Sequence, residues 1–365
     1  MSSGTSPVIY PVHNMRGQMA EVETRPLGPR DAVDGTRETT TDESAFAELT
    51  RRYRRELHVH CYRMLASFED AEDLVQETFL RAWQKRGTYQ GRAPFRAWLY
   101  RIATNACLDF LARHERRVIE LSALAPSGQD VKLSHVAWLQ PYPDRLLGAT
   151  TGDADADALV IRRETIELAF LVTLQCLPPK QRAVLILRDV LDWSAEEVAN
   201  LLESSVASVN AALQRARGAV RRLKPSRDET VAPSEISDAE MLLVRQYVDA
   251  TEHFDTEALT RLLRDDARFS MPPAPFVSVG NRATVQAWVE GGFGQPPYND
   301  FKLVVTSANR MPAVANYLRK PGDAYYRAFM IDVLRIESGS VAEVTSFDLP
   351  PFLDAFNLPA VLAME

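Results

Sequence analysis

Residues 192–222 read DWSAEEVANLLESSVASVNAALQRARGAVRR. Ser194 followed three residues later by Glu197 is a capping box, so a short helix starts there and ends near Leu202. Glu203 to Ser205 then turns the chain into a longer helix whose inward stripe is Val206, Val209, Leu213, Ala216 and Val220. Ser205, Ser208, Asn210, Ala211, Gln214 and Arg215 stay outside. A short helix, a tight turn and a second helix with small and polar residues near its N-terminus is how a helix-turn-helix enters the major groove of DNA. Arg217, Arg221 and Arg222 would then reach phosphates at its far end. Helical hairpins of this pattern also occur in proteins that bind no DNA, so the rest of the chain has to decide.

Charge along the chain bears on that choice. The 365 residues are 46% hydrophobic and 25% charged with a net charge of −7, which fits two or three globular domains and excludes disorder of the whole. The total conceals an alternation. Residues 51–117 carry +6 and residues 180–227 carry +4, while residues 1–50, 118–179 and 228–365 carry −4, −4 and −9. A basic module in an acidic protein is an electrostatic footprint for a polyanion, nucleic acid first, although solvated helix faces can look the same. No apolar run is long enough for a bilayer and the N-terminus lacks the features of a secretory signal, so the expectation is a cytoplasmic protein with no membrane contact. Cys61, Cys107 and Cys176 are scattered and odd in number, which suits reduced thiols in the core.

Within the first basic module, DAEDLVQETFLRAW (70–83) repeats apolar residues at Ala71, Leu74, Val75, Thr78, Phe79 and Ala82, one face of an amphipathic helix. The other face shows Asp70, Asp73, Gln76, Glu77 and Leu80, an acidic edge with a lone leucine. Further on, GTYQGRAPFRAWLYRIATNACLDFLARHERR (87–117) interleaves Tyr89, Phe95, Trp98, Tyr100 and Phe110 with arginines. Aromatic faces beside arginines suit unstacked bases and a single-strand backbone. Trp98 and Phe110 fit a helical core equally well, whereas Tyr89 and Arg92 lie in a Gly-flanked loop. His58, His60 and Cys61 carry ligand chemistry, but on a helix the two histidines stand about 200° apart, so no metal or other cofactor is expected. The GGFG at Gly291–Gly294 lacks the strand-turn-helix setting of a phosphate loop and reads as a turn.

Breaks in composition divide the chain into a disordered tail at 1–42, a helical domain at 43–117, a linker at 118–160, a helix-turn-helix domain at 161–224, a second linker at 225–237 and a last domain at 238–365. Three stretches, FAELTRRYRRELHVHCYRMLASFEDAEDLVQETFLRAW, PFRAWLYRIATNACLDFLARHERR and LPPKQRAVLILRDVLDWSAEEVANLL with SSVASVNAALQRARG, resemble the extracytoplasmic-function sigma factors of bacterial RNA polymerase. The likeness covers roughly Ala45 to Arg222. It implies that 43–117 is sigma region 2, which docks core polymerase and melts promoter DNA, and that 161–224 is region 4, which reads the upstream element. It also implies polymerase docking through Asp70, Asp73, Gln76, Glu77 and Leu80. Capture of a base from the melted strand would fall to Tyr89, Arg92, Phe95, Arg101 and Asn105. Duplex contacts would come from Ser205, Ser208, Asn210, Ala211, Gln214, Arg215, Arg217 and Arg221. Many relatives carry basic residues early in the recognition helix where this chain has Asn210, Ala211 and Ala212.

Beyond Asp238, MLLVRQYVDATEHFDTEALTRLLRDDARFSMPP, NRATVQAWVEGGF and FMIDVLRIESGSVAEVTSFDLPPFLDAF resemble the SnoaL-like α+β cone, and MPAVANYLR with FNLPAVL resemble the sigma G subfamily of extended sigma factors. The fold expected is therefore multidomain, with two all-α helical domains, the second a helix-turn-helix, followed by an α+β cone-shaped SnoaL-like domain. Partners implied are core RNA polymerase, promoter DNA as duplex and melted strand, and an anti-sigma factor if one exists. Asp332, Asp348, Arg327, Tyr326 and His253 could supply acid and base groups, but form no complete catalytic set, so an enzyme is not expected. The cone is expected to modulate sigma activity in cis, with room for a small apolar ligand near Tyr247, Phe254, Trp288 and Tyr326. The rival readings are a free-standing helix-turn-helix regulator and a SnoaL-like cyclase or hydrolase fused to a DNA-binding module.

Overall fold

The computed structural model describes residues 43–89, 91, 94–114, 136–147, 166–223 and 236–364; the expected tail at 1–42 and Arg92 lie outside them. The first helices are α1 (Glu43–Leu65), α2 (Phe68–Lys85) and α3 (Phe95–Arg113). Ala66 takes a left-handed conformation (φ 57°) that stops α1, and the Ser67 hydroxyl accepts the Asp70 N–H at 3.3 Å to start α2. Glu69 and Asp70 sit in the first turn of α2 and Lys85 in its last, matching the helix dipole. The apolar stripe expected from sequence is what α2 buries: Ala71, Leu74, Val75, Thr78 and Ala82, with Phe79 half-buried. The two histidines buried inside this bundle each meet a hydroxyl, His58 that of Tyr142 at 3.0 Å. His60 meets the Thr104 hydroxyl across α1 and α3 at 2.9 Å, and burial pushes its imidazole down to about 3, so it is neutral and packs as a core group.

A second bundle follows from α4 (Leu168–Gln175), α5 (Pro179–Leu185, continued by a π turn to Val190), α6 (Ala195–Leu201) and α7 (Val206–Leu223). Pro179 occupies the first turn of α5, where a missing N–H costs nothing. The capping box of Ser194 and Glu197 is present, with bonds of 3.1 and 2.7 Å. Of the stripe expected on α7, Val209, Leu213 and Ala216 are buried and Val220 half-buried. Val206 instead is exposed, because it sits at the first helical position, ahead of the turn that packs inward.

The last third is α+β. Helices α8 (Asp238–Glu252), α9 (Thr256–Leu262) and α10 (Asn281–Glu290) pack on a sheet of β1 (Leu263–Ser270), β2 (Val277–Val279), β3 (Phe301–Ala308), β4 (Met311–Leu318), β5 (Tyr326–Glu337) and β6 (Ser340–Asp348). The order is β2-β1-β6-β5-β4-β3, with β1 parallel to β6, the other neighbours antiparallel, and a two-residue β7 (Val361–Leu362) beside β5. Register shifts at Leu263/Arg268, Asn316/Tyr317 and Arg335/Ile336 break the ladders, the device that bends a sheet into a cone.

Strand alternation explains how this cone joins the helical part. Residues of one face, Phe269, Leu303, Val314, Leu334 and Val344, form the cone's own core with α8 to α10. Residues of the opposite face, Ala313, Ala315, Tyr317, Ile331, Val333 and Phe347, belong to the same apolar cluster as the two helical bundles. Every residue of β4 is buried as a result. The stretch expected as a linker takes part, since Val136, Leu139 and Tyr142 are buried in that cluster. Its Pro, Ser and Asp content signals the lack of a regular element, and the apolar residues between them supply the packing.

The turn joining β3 to β4 is the hub of this junction. Asn309, fully buried at φ 55°, donates its side-chain amide to the Tyr62 hydroxyl on α1 (2.8 Å) and the Ile166 carbonyl before α4 (2.7 Å). Its side-chain oxygen accepts the Tyr142 N–H at 2.8 Å, and its own N–H donates to the Tyr142 carbonyl at 2.8 Å. One side chain thus ties together the first bundle, the connecting stretch and the second bundle. Next to it, the Arg310 N–H reaches Asp144 at 2.8 Å, and Arg145 donates to the Ala355 carbonyl at 2.6 Å.

Candidate nucleic-acid interface

The acidic edge of α2 faces outward as its sequence demands. Asp73, Gln76 and Leu80 are exposed, and Asp70 and Glu77 are half-buried. Leu80 is 57% exposed, a large apolar side chain held in solvent between acids. Glu77 is engaged on its own helix, accepting from Arg81 at 2.6 Å, while Arg81 also reaches Asp109 of α3 at 3.3 Å. The connecting stretch steadies the start of this helix: Gln140 accepts from the Glu69 N–H and the Ser67 hydroxyl, each at 3.0 Å, and donates to the Glu69 carboxylate at 2.6 Å. An acidic edge around an exposed leucine can meet a basic partner, opposite charge speeding encounter and fixing register.

The aromatic residues of the next segment divide between packing and cleft. Tyr89 and Phe95 are buried, with ring centroids 5.6 Å apart, and Trp98 lies 5.3 Å from Tyr89. Tyr89, read from sequence as hard to place in a core, packs there because the short turn after α2 folds back over the start of α3. What remains accessible is a cleft of about 380 Å³, lined among others by Arg81, Lys85, Trp98, Arg101 and Asn105. Three cations, an indole and a side-chain amide in one cleft can hold a strand's phosphate while a base stacks beside it. Glu203 of the second bundle also lines the cleft and pairs with Arg101.

On α7 and the turn before it, Ser205, Ser208, Asn210, Gln214 and Arg215 are exposed and Ala211 is half-buried, so the helix offers small and polar groups to a groove. The Ser205 hydroxyl accepts the Ser208 N–H at 3.1 Å and caps the helix, a role the sequence had not marked out. Arg217 turns back on its own bundle, donating to both Asp189 oxygens at 2.9 and 2.7 Å, whereas Arg221 and Arg222 are exposed at the helix end. The two bundles are in direct contact. Arg182, fully buried on α5, donates to carbonyl oxygens of Met64 and Leu177 and to Gln175, and burial pushes its guanidinium down to about 9. Trp193 packs on Tyr100 with ring centroids 5.3 Å apart. No sequence period marks either residue as a contact between bundles, because each also packs within its own.

The five acid and base candidates of the cone are not brought together by a shared contact. Asp332 is buried and accepts from Tyr247 at 3.2 Å, Asn316 at 2.9 Å and Ser346, with burial raising its carboxyl above the usual range. Tyr326 donates to Asp300 at 2.8 Å, His253 is exposed against the Asp249 carbonyl, and Arg327 and Asp348 are exposed. The aromatics expected to line a pocket pack on other rings or bond within the cone, Phe254 on Phe293 at 5.0 Å and Trp288 on Phe269 at 5.3 Å. Among the described residues there is no cluster of His, Cys, Asp and Glu suited to a metal ion, and no helix is long and apolar enough to cross a membrane.

Comparison with known proteins agrees with this division. The chain matches the families described as Sigma-70 region 2 over residues 49–117, Sigma-70, region 4 over 167–220, and SnoaL-like domain over 244–344. The ECF RNA polymerase sigma factor SigG of Mycobacterium tuberculosis is 39% identical over 318 residues, 86% of this chain and 84% of that protein. SigW of Bacillus subtilis, also an ECF RNA polymerase sigma factor, is 30% identical over 181 residues, 50% of this chain and 89% of its own. Among solved structures, the extracytoplasmic function sigma factor SigJ of M. tuberculosis superimposes with a TM-score of 0.55 at 23% identity, covering 86% of this chain and 99% of that one, a likeness of fold.

Proposed function

Because the chain belongs to the extracytoplasmic-function sigma factors of RNA polymerase, binding the core enzyme and directing promoter-specific initiation, we propose how its surfaces share that work. Asp70, Asp73, Gln76, Glu77 and Leu80 dock the polymerase. Arg101 and Asn105, in the cleft floored by Trp98, take the melted strand, with Tyr89 and Phe95 holding that floor from beneath. Arg92, which lies outside the described residues, is assigned to the same strand by the family resemblance. Ser205, Ser208, Asn210, Ala211, Gln214, Arg215 and Arg221 meet the upstream duplex, and Arg217 joins them by exchanging Asp189 for a phosphate. Region 2 spans 43–117, region 4 spans 161–224 and the cone 238–365. Work on RNA polymerase places the protein in the cytoplasm.

The observation that carries this reading is the exposure of three separate surfaces, acidic, basic-aromatic and polar-basic, on two helical bundles in the family's order. Support for modulation in cis comes from the cone's shared core with both bundles. That arrangement favours bracing over an acidic domain that competes loosely with DNA from a tether. Run-off transcription on genomic promoters with core polymerase tests the whole. We expect specific transcripts only when the protein is present, and open-complex footprints lost in Asn105→Ala while duplex binding persists. Transcripts independent of the protein would refute the first part, and unaltered footprints the second.

A further inference from the structure

The residue after the short helix of the helix-turn-helix is unusual. Leu202 is the C-cap of α6, the Ser204 N–H closes back on the Ala199 carbonyl at 2.9 Å, and between them Glu203 stands at φ 51°. This is the left-handed position of a Schellman helix end, which glycine favours because a Cβ there crowds the neighbouring carbonyl. Other non-glycine residues of this chain take that position, Ala66 and Asn309 among them, and what sets Glu203 apart is the contact its side chain makes.

What that side chain does lies outside its own bundle. The Glu203 carboxylate pairs with Arg101 of α3, across the boundary between the two helical modules and at the rim of the cleft that holds Asn105 and Trp98. Arginine donates to carboxylate and phosphate oxygens in the same forked geometry. Building on the reading that this cleft takes the melted promoter strand, we propose that Glu203 is an internal stand-in for a strand phosphate. The turn of the helix-turn-helix plugs the strand-reading cleft of region 2 until DNA displaces it.

Energetics suit a plug that must leave. Arg101 is 45% exposed and Glu203 is 71% exposed, so the pair is weak, screened by salt and open to exchange with a polyanion of higher charge density. The groups that face Arg101 across the cleft do not replace Glu203. Arg81 is committed to Glu77 and Asp109, and Lys85 is a further cation. Region 4 must therefore withdraw its turn for the strand to enter, which couples separation of the two bundles to capture of the strand.

The test uses the full chain and a short fluorescein-labelled single strand of mixed adenine and thymine, with binding read by anisotropy at low and high salt. Glu203→Gln removes the charge and keeps the shape; Glu203→Gly also relieves the backbone, so loss of fold does not confound it. Both should bind the strand about two- to fivefold more tightly at low salt, the range of a single exposed ion pair, and the gain should shrink at high salt. Glu196→Gln, an exposed acid on the same short helix that does not line the cleft, should bind as wild type. Equal gains in Glu196→Gln and Glu203→Gln would reduce the effect to long-range charge and overturn the plug, as would wild-type affinity in both Glu203 variants while Asn105→Ala binds weakly. Wild-type affinity in Asn105→Ala and Arg101→Ala would instead remove the reading of the cleft itself.

Discussion

Asn309 is the residue on which most depends. Its side chain satisfies the Tyr142 N–H and the Ile166 carbonyl and donates to the Tyr62 hydroxyl in a place closed to water, so its removal leaves two backbone groups without their partner, while the Tyr62 hydroxyl keeps only its bond to the Gln140 carbonyl. Each such group costs about 1–3 kcal/mol, and we expect Asn309→Ala to lower stability by about 3 kcal/mol or more in urea denaturation. Asn309→Gly keeps the left-handed backbone comfortable and should lose nearly as much, which assigns the cost to the hydrogen bonds. An unchanged midpoint in both variants would show the bonds to be idle. Nothing in the sequence singles out this residue. Ala308, Asn309 and Arg310 read as an ordinary hairpin turn, and only the fold reveals that the turn ends inside another bundle. Glu203 was equally hidden, since its partner lies 102 positions away.

At the scale of elements the sequence was far more legible. The stripe of α2, the capping box of α6 and the helix-turn-helix follow from periodicity and cap chemistry, which are local. The stretch at 136–147 did not yield to the same reading, because irregular chain that packs through isolated apolar residues has no period to detect. The candidate surfaces divided in the same way. The outward edge of α2 was readable as the complement of its stripe, whereas burial of Tyr89 depended on how one turn folds back. Asp73 and Leu80 are the cleanest probes of that edge, since Glu77 is already occupied by Arg81. Asp73→Lys with Leu80→Glu should weaken capture of core polymerase at least about tenfold while thermal unfolding stays within a few degrees of wild type. That magnitude assumes two contacts worth about 0.7 kcal/mol each, within the range of exposed ion pairs and partly buried apolar groups. Full capture by the folded double variant would take docking away from this edge.

For the whole molecule, the shared core changes what truncation means. A tethered cone would leave regions 2 and 4 intact when cut off after Arg227, but here Tyr62, Tyr142 and the bundle surface beside Phe352 lose their cover. We expect the truncated chain to unfold at lower temperature and its two bundles to separate in solution scattering, with promoter-independent strand binding rising as the cleft opens. A truncated chain as stable and compact as the full one would contradict this. The bonds of Asn309 carry one consequence for how the protein is made. They join residues 247 and 143 positions apart, so a ribosome has finished both DNA-reading bundles long before the residue that locks them leaves the exit tunnel. Synthesis from the N-terminus lets early domains fold first, and contacts this distant in sequence close slowly. Every copy therefore passes through an interval in which the two bundles exist without their lock. A growing chain, or one halted early by a stop codon, would be a looser molecule than the finished protein, and the length translated would set its state before any signal acts.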